Sequence, residues 1–238
     1  MLRLAAAVPS VPVQRRMNLA AVAAARRAVP DRPGWPAVFL RAYGRVAADT
    51  PALRRAYLRL PWPHLREYPE SVASVAVERD YRGEPAVFFG RIGEPAGQTV
   101  GELDARVREL AEAPLRSVKS FRRMLFAGRL PAPLRRAGLW LGLNLPRTRP
   151  GMFGTFGLTA YSSLGAESLH PLSPLTTTLS YGVIGPDGAA DVRIVYDHRV
   201  TDGAVIARAL ARLEAELTGP VLAELEGMAA RPSPRAAA

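Results

Sequence analysis

What narrows the fold of this chain most is that its apolar residues change period several times. Met17 to Arg27 is Ala-rich and amphipathic, and Trp35 to Ala48 repeats apolar positions at helical spacing through Phe39, Leu40, Tyr43 and Val46, which predicts two N-terminal helices. Thr50-Pro51 then begins a short turn ahead of the Pro-rich loop LPWPHLREYPE. Ser71 to Arg79 (SVASVAVER) alternates, and Pro85 to Ile92 (PAVFFGRI) follows it across Arg82-Gly83, the signature of a β-hairpin. Helical spacing returns over Thr99 to Ala111, with acids early and arginines later as the helix dipole favours. Phe153 to Ser162, Thr176 to Ile184 and Asp191 to Tyr196 read as strands, and Asp202 to Leu217 as a long helix. Strands alternating with helices, without an internal repeat or a low-complexity linker, predict one α/β domain over residues 1–229. The tail from 230 to 238, which includes RPSPRAAA, is expected to be disordered.

Composition removes several alternatives. At 238 residues and 48% hydrophobic, the chain can bury a sizeable core, and its mean hydropathy of +0.01 is that of a globular protein. No apolar run approaches the roughly 18 to 20 residues of a membrane span. Cysteine is absent, which excludes disulfides, thiolate metal sites and a thiol nucleophile in one step. No metal site is expected. The net charge of +11 suggests an anionic partner, yet only Lys119 among the basic residues is a lysine. That arginine bias, beside abundant Ala, Pro, Leu and Gly, matches GC-rich coding, and no basic strand studded with aromatics is present, so nucleic acid is not an expected partner. The apolar stretch before Pro9 is too short for a signal peptide, and the expected location is the cytoplasm.

Of three histidines, only His198 stands in a patterned context: strand VRIVYD, then HRVTDG, then a helix. A histidine ending a buried strand can be held in one orientation, as general-base catalysis requires, and an aspartate and glycine four and five residues on can fix the turn. The same spacing also fits a polar residue closing a strand while Asp202 caps the next helix.

The segment YDHRVTDGAVIARALARLEAEL resembles the C-terminal signature of the dihydrolipoyl acyltransferase catalytic core, and GTFGLTAYSSLG resembles that family's glycine-threonine-phenylalanine strand leading to a serine. The family shares its fold with chloramphenicol acetyltransferase. The resemblance implies a two-layer sandwich in which helices cover a mixed β-sheet, and acyl transfer between thiols or from a thiol to a hydroxyl. It implies His198 as general base, Ser162 as hydrogen-bond donor to the oxyanion, and Asp202 as the residue fixing the His198 loop. Ser163 and, from PLTTTLSY, Thr177 are then expected at the substrate, with Gly203 and Arg199 structural at the site. It further implies a homotrimer with His198 of one subunit facing Ser162 of the next, no tightly bound cofactor, and coenzyme A or an acyl-carrier thioester as substrate.

The sequence also departs from that pattern. No lipoyl or subunit-binding domain is recognised, and Lys119 in RSVKSF does not resemble a lipoylated hairpin, so a stand-alone enzyme is expected. The family's first strand, and the arginine that pairs with the motif aspartate, have no obvious counterpart. Residues 114–149 exceed the family's short link and read as two amphipathic helices broken by Pro131 and Pro133. Their cations interleave with Phe121, Leu125, Phe126, Leu134, Leu139, Trp140 and Leu141, a pattern that can lie at a membrane surface or pack within the oligomer. Two other functions compete with the transferase. A serine hydrolase using Ser162 lacks the G-x-S-x-G elbow. An idle trimeric scaffold of the same fold would have no physical need of the Ser162–His198 pair.

Overall fold

A computed structural model describes residues 2–230, so the tail expectation for 231–238 lies outside the described residues. In chain order the elements are α1 (Leu2–Ala5), β1 (Ser10–Asn18), α2 (Ala20–Ala28), α3 (Trp35–Asp49), β2 (Arg55–Leu58) and β3 (His64–Glu67). The hairpin strands β4 (Val72–Tyr81) and β5 (Glu84–Gly93) are followed by α4 (Val100–Glu112), α5 (Lys119–Arg129), α6 (Ala132–Asn144) and α7 (Arg149–Phe153). The rest is β6 (Phe156–Ala160), β7 (Thr177–Tyr181), β8 (Ala189–Asp197), α8 (Gly203–Glu216) and α9 (Leu222–Ala229).

Six strands form one mixed sheet in the order β1-β8-β7-β6-β4-β5, in which β4, β6 and β7 are mutually parallel and the other pairs antiparallel. Alternation assigns the two faces. Ala73, Val75, Phe156, Leu158, Leu179, Val192, Ile194 and Tyr196 point into one core with α3, α4 and α8. At its centre Phe39 stacks on Tyr181 at 4.1 Å between ring centroids, and Tyr43 tilts against Phe156 at 4.6 Å. The opposite face carries Ser74, Thr159, Thr178, Ser180 and Arg193, all buried and polar. This is the helix-covered mixed sheet that the sequence resemblance implies.

Local rules account for most elements. Arg82 and Gly83 both adopt positive φ, as a two-residue turn between β4 and β5 requires. Thr99 and Glu102 form a reciprocal capping box that starts α4. Two expectations are corrected. Met17 does not begin a helix, because Val11, Val13 and Met17 face the core at period two and the whole of β1 pairs with β8 from Ser10↔Asp197 to Asn18↔Ala189. Pro12 disguised this strand, and it is tolerated there because β1 is an edge of the sheet. The Pro-rich segment 60–70 is in fact not all loop: it contains β3, which pairs with β2 in a small hairpin.

Gly188, in the turn before β8, has φ of +79°, and a Cβ there would lie 2.3 Å from the backbone nitrogen of Ala20. Backbone cannot yield as a side chain can. Gly188→Ala is expected to cost about 3 kcal/mol through strain and clash and to lower the melting midpoint by roughly 10 °C. Gly93→Ala, which meets nothing within 4 Å, is the control and should leave the midpoint nearly unchanged. Equal melting of the two variants would refute the close approach.

Candidate active site

His198 follows the last residue of β8, and its backbone N–H donates to the Pro9 carbonyl at 3.0 Å, which ties the loop to the segment entering β1. Its side chain is exposed and lies 5.6 Å from the Tyr196 ring, with no hydrogen-bond partner among the described residues. Asp202 caps α8: its Oδ1 accepts from the Val205 N–H at 2.9 Å. No arginine pairs with it among the described residues. Its charge, after burial, raises the Tyr196 phenol above its ordinary value. Gly203 begins α8 beside that phenol, where a Cβ would stand at ordinary contact distance, 3.4 Å, from the Tyr196 hydroxyl.

Arg199 turns away from this loop. It forms a two-pronged ion pair with buried Asp197, at 2.9 and 2.8 Å, and its guanidinium sits 4.5 Å from the centre of the Tyr57 ring. That arrangement clamps the strand end on which His198 stands.

Ser162 lies in the short turn after β6, half-buried at a cleft of about 380 Å³ lined by Arg26, Trp35, Tyr181 and Ile184. Burial pushes the Tyr181 phenol well up, and the neighbouring Ser162 hydroxyl draws it back. The Arg26 guanidinium is 4.9 Å from the Trp35 ring and donates to the Pro33 carbonyl; burial, then Arg32, lowers its pKa. A cation lining the same cleft as a serine hydroxyl suits a site where negative charge develops. The sequence reading missed Arg26, Trp35 and Tyr181. They come from three separate segments, and only the fold brings them together.

Thr177 is fully buried under α3, and its Oγ1 accepts from the Tyr43 hydroxyl at 2.7 Å, so within one chain it faces the core rather than a cleft. Burial holds that tyrosine's pKa above its usual range. The side chain of Ser163 lies outside the described residues. Across β7 the other face opens into an apolar cleft of about 480 Å³, lined in part by Val87, Phe89, Phe153, Tyr161 and Leu172. Thr178 lines this cleft, and its Oγ1 is buried without a hydrogen-bond partner. No group of three or more histidines and acids among the described residues is placed to hold a metal ion.

The register separates the two expected catalytic side chains. Ala160 lies level with Tyr181 and Val192, whereas Tyr196 lies level with Thr177 and Phe156. Four residues along a strand are about 13 Å, and the Ser162 and His198 turns continue outward from opposite ends. The two side chains are therefore roughly 20 Å apart in one chain. An intrachain serine–histidine pair of the hydrolase kind is ruled out by this geometry.

No family model and no curated protein matches the chain. Solved structures do. A probable dihydrolipoamide acetyltransferase from Listeria monocytogenes superposes with a TM-score of 0.66 at 14% identity, over 98% of this chain and 91% of that one. The dihydrolipoamide acetyltransferase of Azotobacter vinelandii, in which a serine, a histidine and an asparagine were investigated for roles in the catalytic mechanism, gives 0.67 at 18% identity over 92% and 86%. Chloramphenicol acetyltransferase gives 0.53 at 14% identity over 91% and 92%. The chain thus has the fold of these acetyltransferases. It carries a helix-covered six-stranded sheet, with Ser162 after β6 and His198 after β8.

Proposed function

We propose that the protein is an acyltransferase that moves an acyl group from a coenzyme A or carrier-protein thioester to a thiol, hydroxyl or amine acceptor. The observation that carries this reading is the placement of His198 and Ser162 at opposite ends of one sheet. Apart, an unpartnered imidazole and a serine beside a cationic cleft do nothing together. In a closed ring of copies, His198 of one chain meets Ser162 of the next, and each contact then holds a base and an oxyanion donor. A homotrimer is the assembly that fits this reading.

In the reaction His198 takes the acceptor proton while the acceptor attacks the thioester carbonyl. The carbonyl oxygen becomes an oxyanion that accepts a hydrogen bond from Ser162, with Arg26 adding positive charge nearby. Collapse breaks the carbon–sulfur bond, and the proton on His198 passes to the departing thiolate. No acyl-enzyme forms. Asp202 and the Asp197–Arg199 pair position the His198 loop.

The test begins with thermal unfolding against free coenzyme A and acetyl, branched and long-chain acyl esters, since a ligand of the native state raises the midpoint. Thiol release is then followed with the ester that shifts it, and the chain contributes no thiol of its own. Ser162→Ala should lower kcat about 10²- to 10³-fold, the effect of removing one oxyanion donor, with KM nearly unchanged. A midpoint that none of the esters moves would reject the coenzyme A donor. Covalent labelling of Ser162 by a fluorophosphonate would reject the non-covalent mechanism.

A further inference from the structure

The segment from Pro114 to Pro150 holds nine Arg and Lys residues and no Asp or Glu. Its structure divides the apolar residues into two sets. Phe121 is buried against Phe88 at 5.1 Å between ring centroids, and Met124 and Leu125 are partly buried against the main core. Leu139 packs with Leu143 and Phe153, and Asn144 Oδ1 accepts from the Arg59 N–H at 3.0 Å, which anchors the C-terminal half of α6 beside the β2–β3 hairpin. The second set has no such partner. Leu134, Ala137, Gly138 and Leu141 follow the i, i+3, i+4, i+7 spacing of one helix face and are all exposed. Leu134 is 61% exposed, and Phe126 of α5 is 63% exposed. Trp62, in the loop of the hairpin that contacts α6, is 67% exposed.

We infer that α5, α6 and the Trp62 loop form a docking surface for an anionic lipid bilayer. Exposed leucines and aromatics on neighbouring segments, within a stretch whose cations have no acid beside them in sequence, match a surface whose headgroups are negative and whose interior is apolar. Trp62 supplies the amphipathic ring favoured at such interfaces. No described helix is long and apolar enough to cross a membrane, so the contact is with the surface. This inference goes beyond the catalytic reading and does not depend on it.

The test is co-sedimentation of the full chain with vesicles of phosphatidylcholine alone, or with about 30 mol% phosphatidylglycerol. Binding is expected only to the anionic vesicles and should fall more than tenfold when salt is raised from about 0.1 M to about 0.5 M. Leu134→Ser with Leu141→Ser should weaken binding at least tenfold. Both positions are exposed, so the fold should survive, and an unchanged melting midpoint verifies it. No binding to either vesicle, or binding indifferent to the two serines, overturns the inference. Loss of oligomer in that double variant also overturns it, because the ridge would then be a contact between copies. Thiol release in detergent-free buffer is expected to be unchanged, which separates this outcome from failure of the catalytic reading.

Discussion

His198→Ala is expected to lower thiol release by about 10³- to 10⁴-fold, the upper range for loss of a general base, while the melting midpoint stays where it was. The second half of that expectation follows from the structure. The His198 side chain is exposed and has no hydrogen-bond partner among the described residues, so its removal should change stability by no more than about 0.5 kcal/mol. Asp202→Ala should behave differently. It removes the acceptor that caps α8 at the Val205 N–H, at a cost of about 1 kcal/mol, and it loosens the loop that aims His198. Rate and midpoint should therefore fall together in Asp202→Ala and separate in His198→Ala. The same protein preparations yield both readings, by thiol release with the matching acyl ester and by thermal unfolding. Near-normal turnover by His198→Ala would remove the histidine from the mechanism and leave the idle scaffold as the better account of the fold.

The sequence made His198, Asp202 and α8 legible because they are contiguous. A buried strand, a polar turn and a helix N-cap lie within one short stretch, and each element obeys a local rule. The β4–β5 hairpin and the helix α4 were legible for the same reason. β1 was not, because Pro12 and the pair Arg15-Arg16 hide a period-two strand whose apolar half is only Val11, Val13 and Met17. Its identity as a strand is decided by β8, which lies far along the chain. The cleft around Ser162 shows the same limit more sharply. Arg26, Trp35 and Tyr181 sit in α2, α3 and β7, and no spacing in the sequence relates them. Thr177 illustrates the converse case. A sequence match placed it at the substrate, but alternation along β7 directs its hydroxyl to Tyr43 inside the core. The basic segment was recognised as amphipathic, yet only the packing distinguishes Phe121, which is buried, from Leu134 and Phe126, which are not.

Mixing two inactive variants should restore activity, and this is the strongest test of a site divided between chains. His198→Ala chains retain Ser162, and Ser162→Ala chains retain His198. Each alone is expected to build assemblies in which every shared site lacks one group. In a random equimolar mixture, a site is whole only where a Ser162→Ala chain supplies the histidine and a His198→Ala chain the serine, which is about one quarter of all sites in a closed ring. Activity should therefore climb from near zero to about a quarter of the wild-type value, provided that subunits exchange, which mass measurement on differently tagged chains can verify. Dilution of wild-type chains with the double variant gives an independent check. At equal amounts, a shared site again survives in about one case in four, whereas a site contained in one chain would survive in about half. The register of β6, β7 and β8 sets the expected answer, because roughly 20 Å of sheet separates the two side chains within a chain. Mixed assemblies that stay inactive, or a protein that remains monomeric at assay concentration, would show that the two ends of the sheet do not cooperate across copies, and acyl transfer by this pair would have to be abandoned.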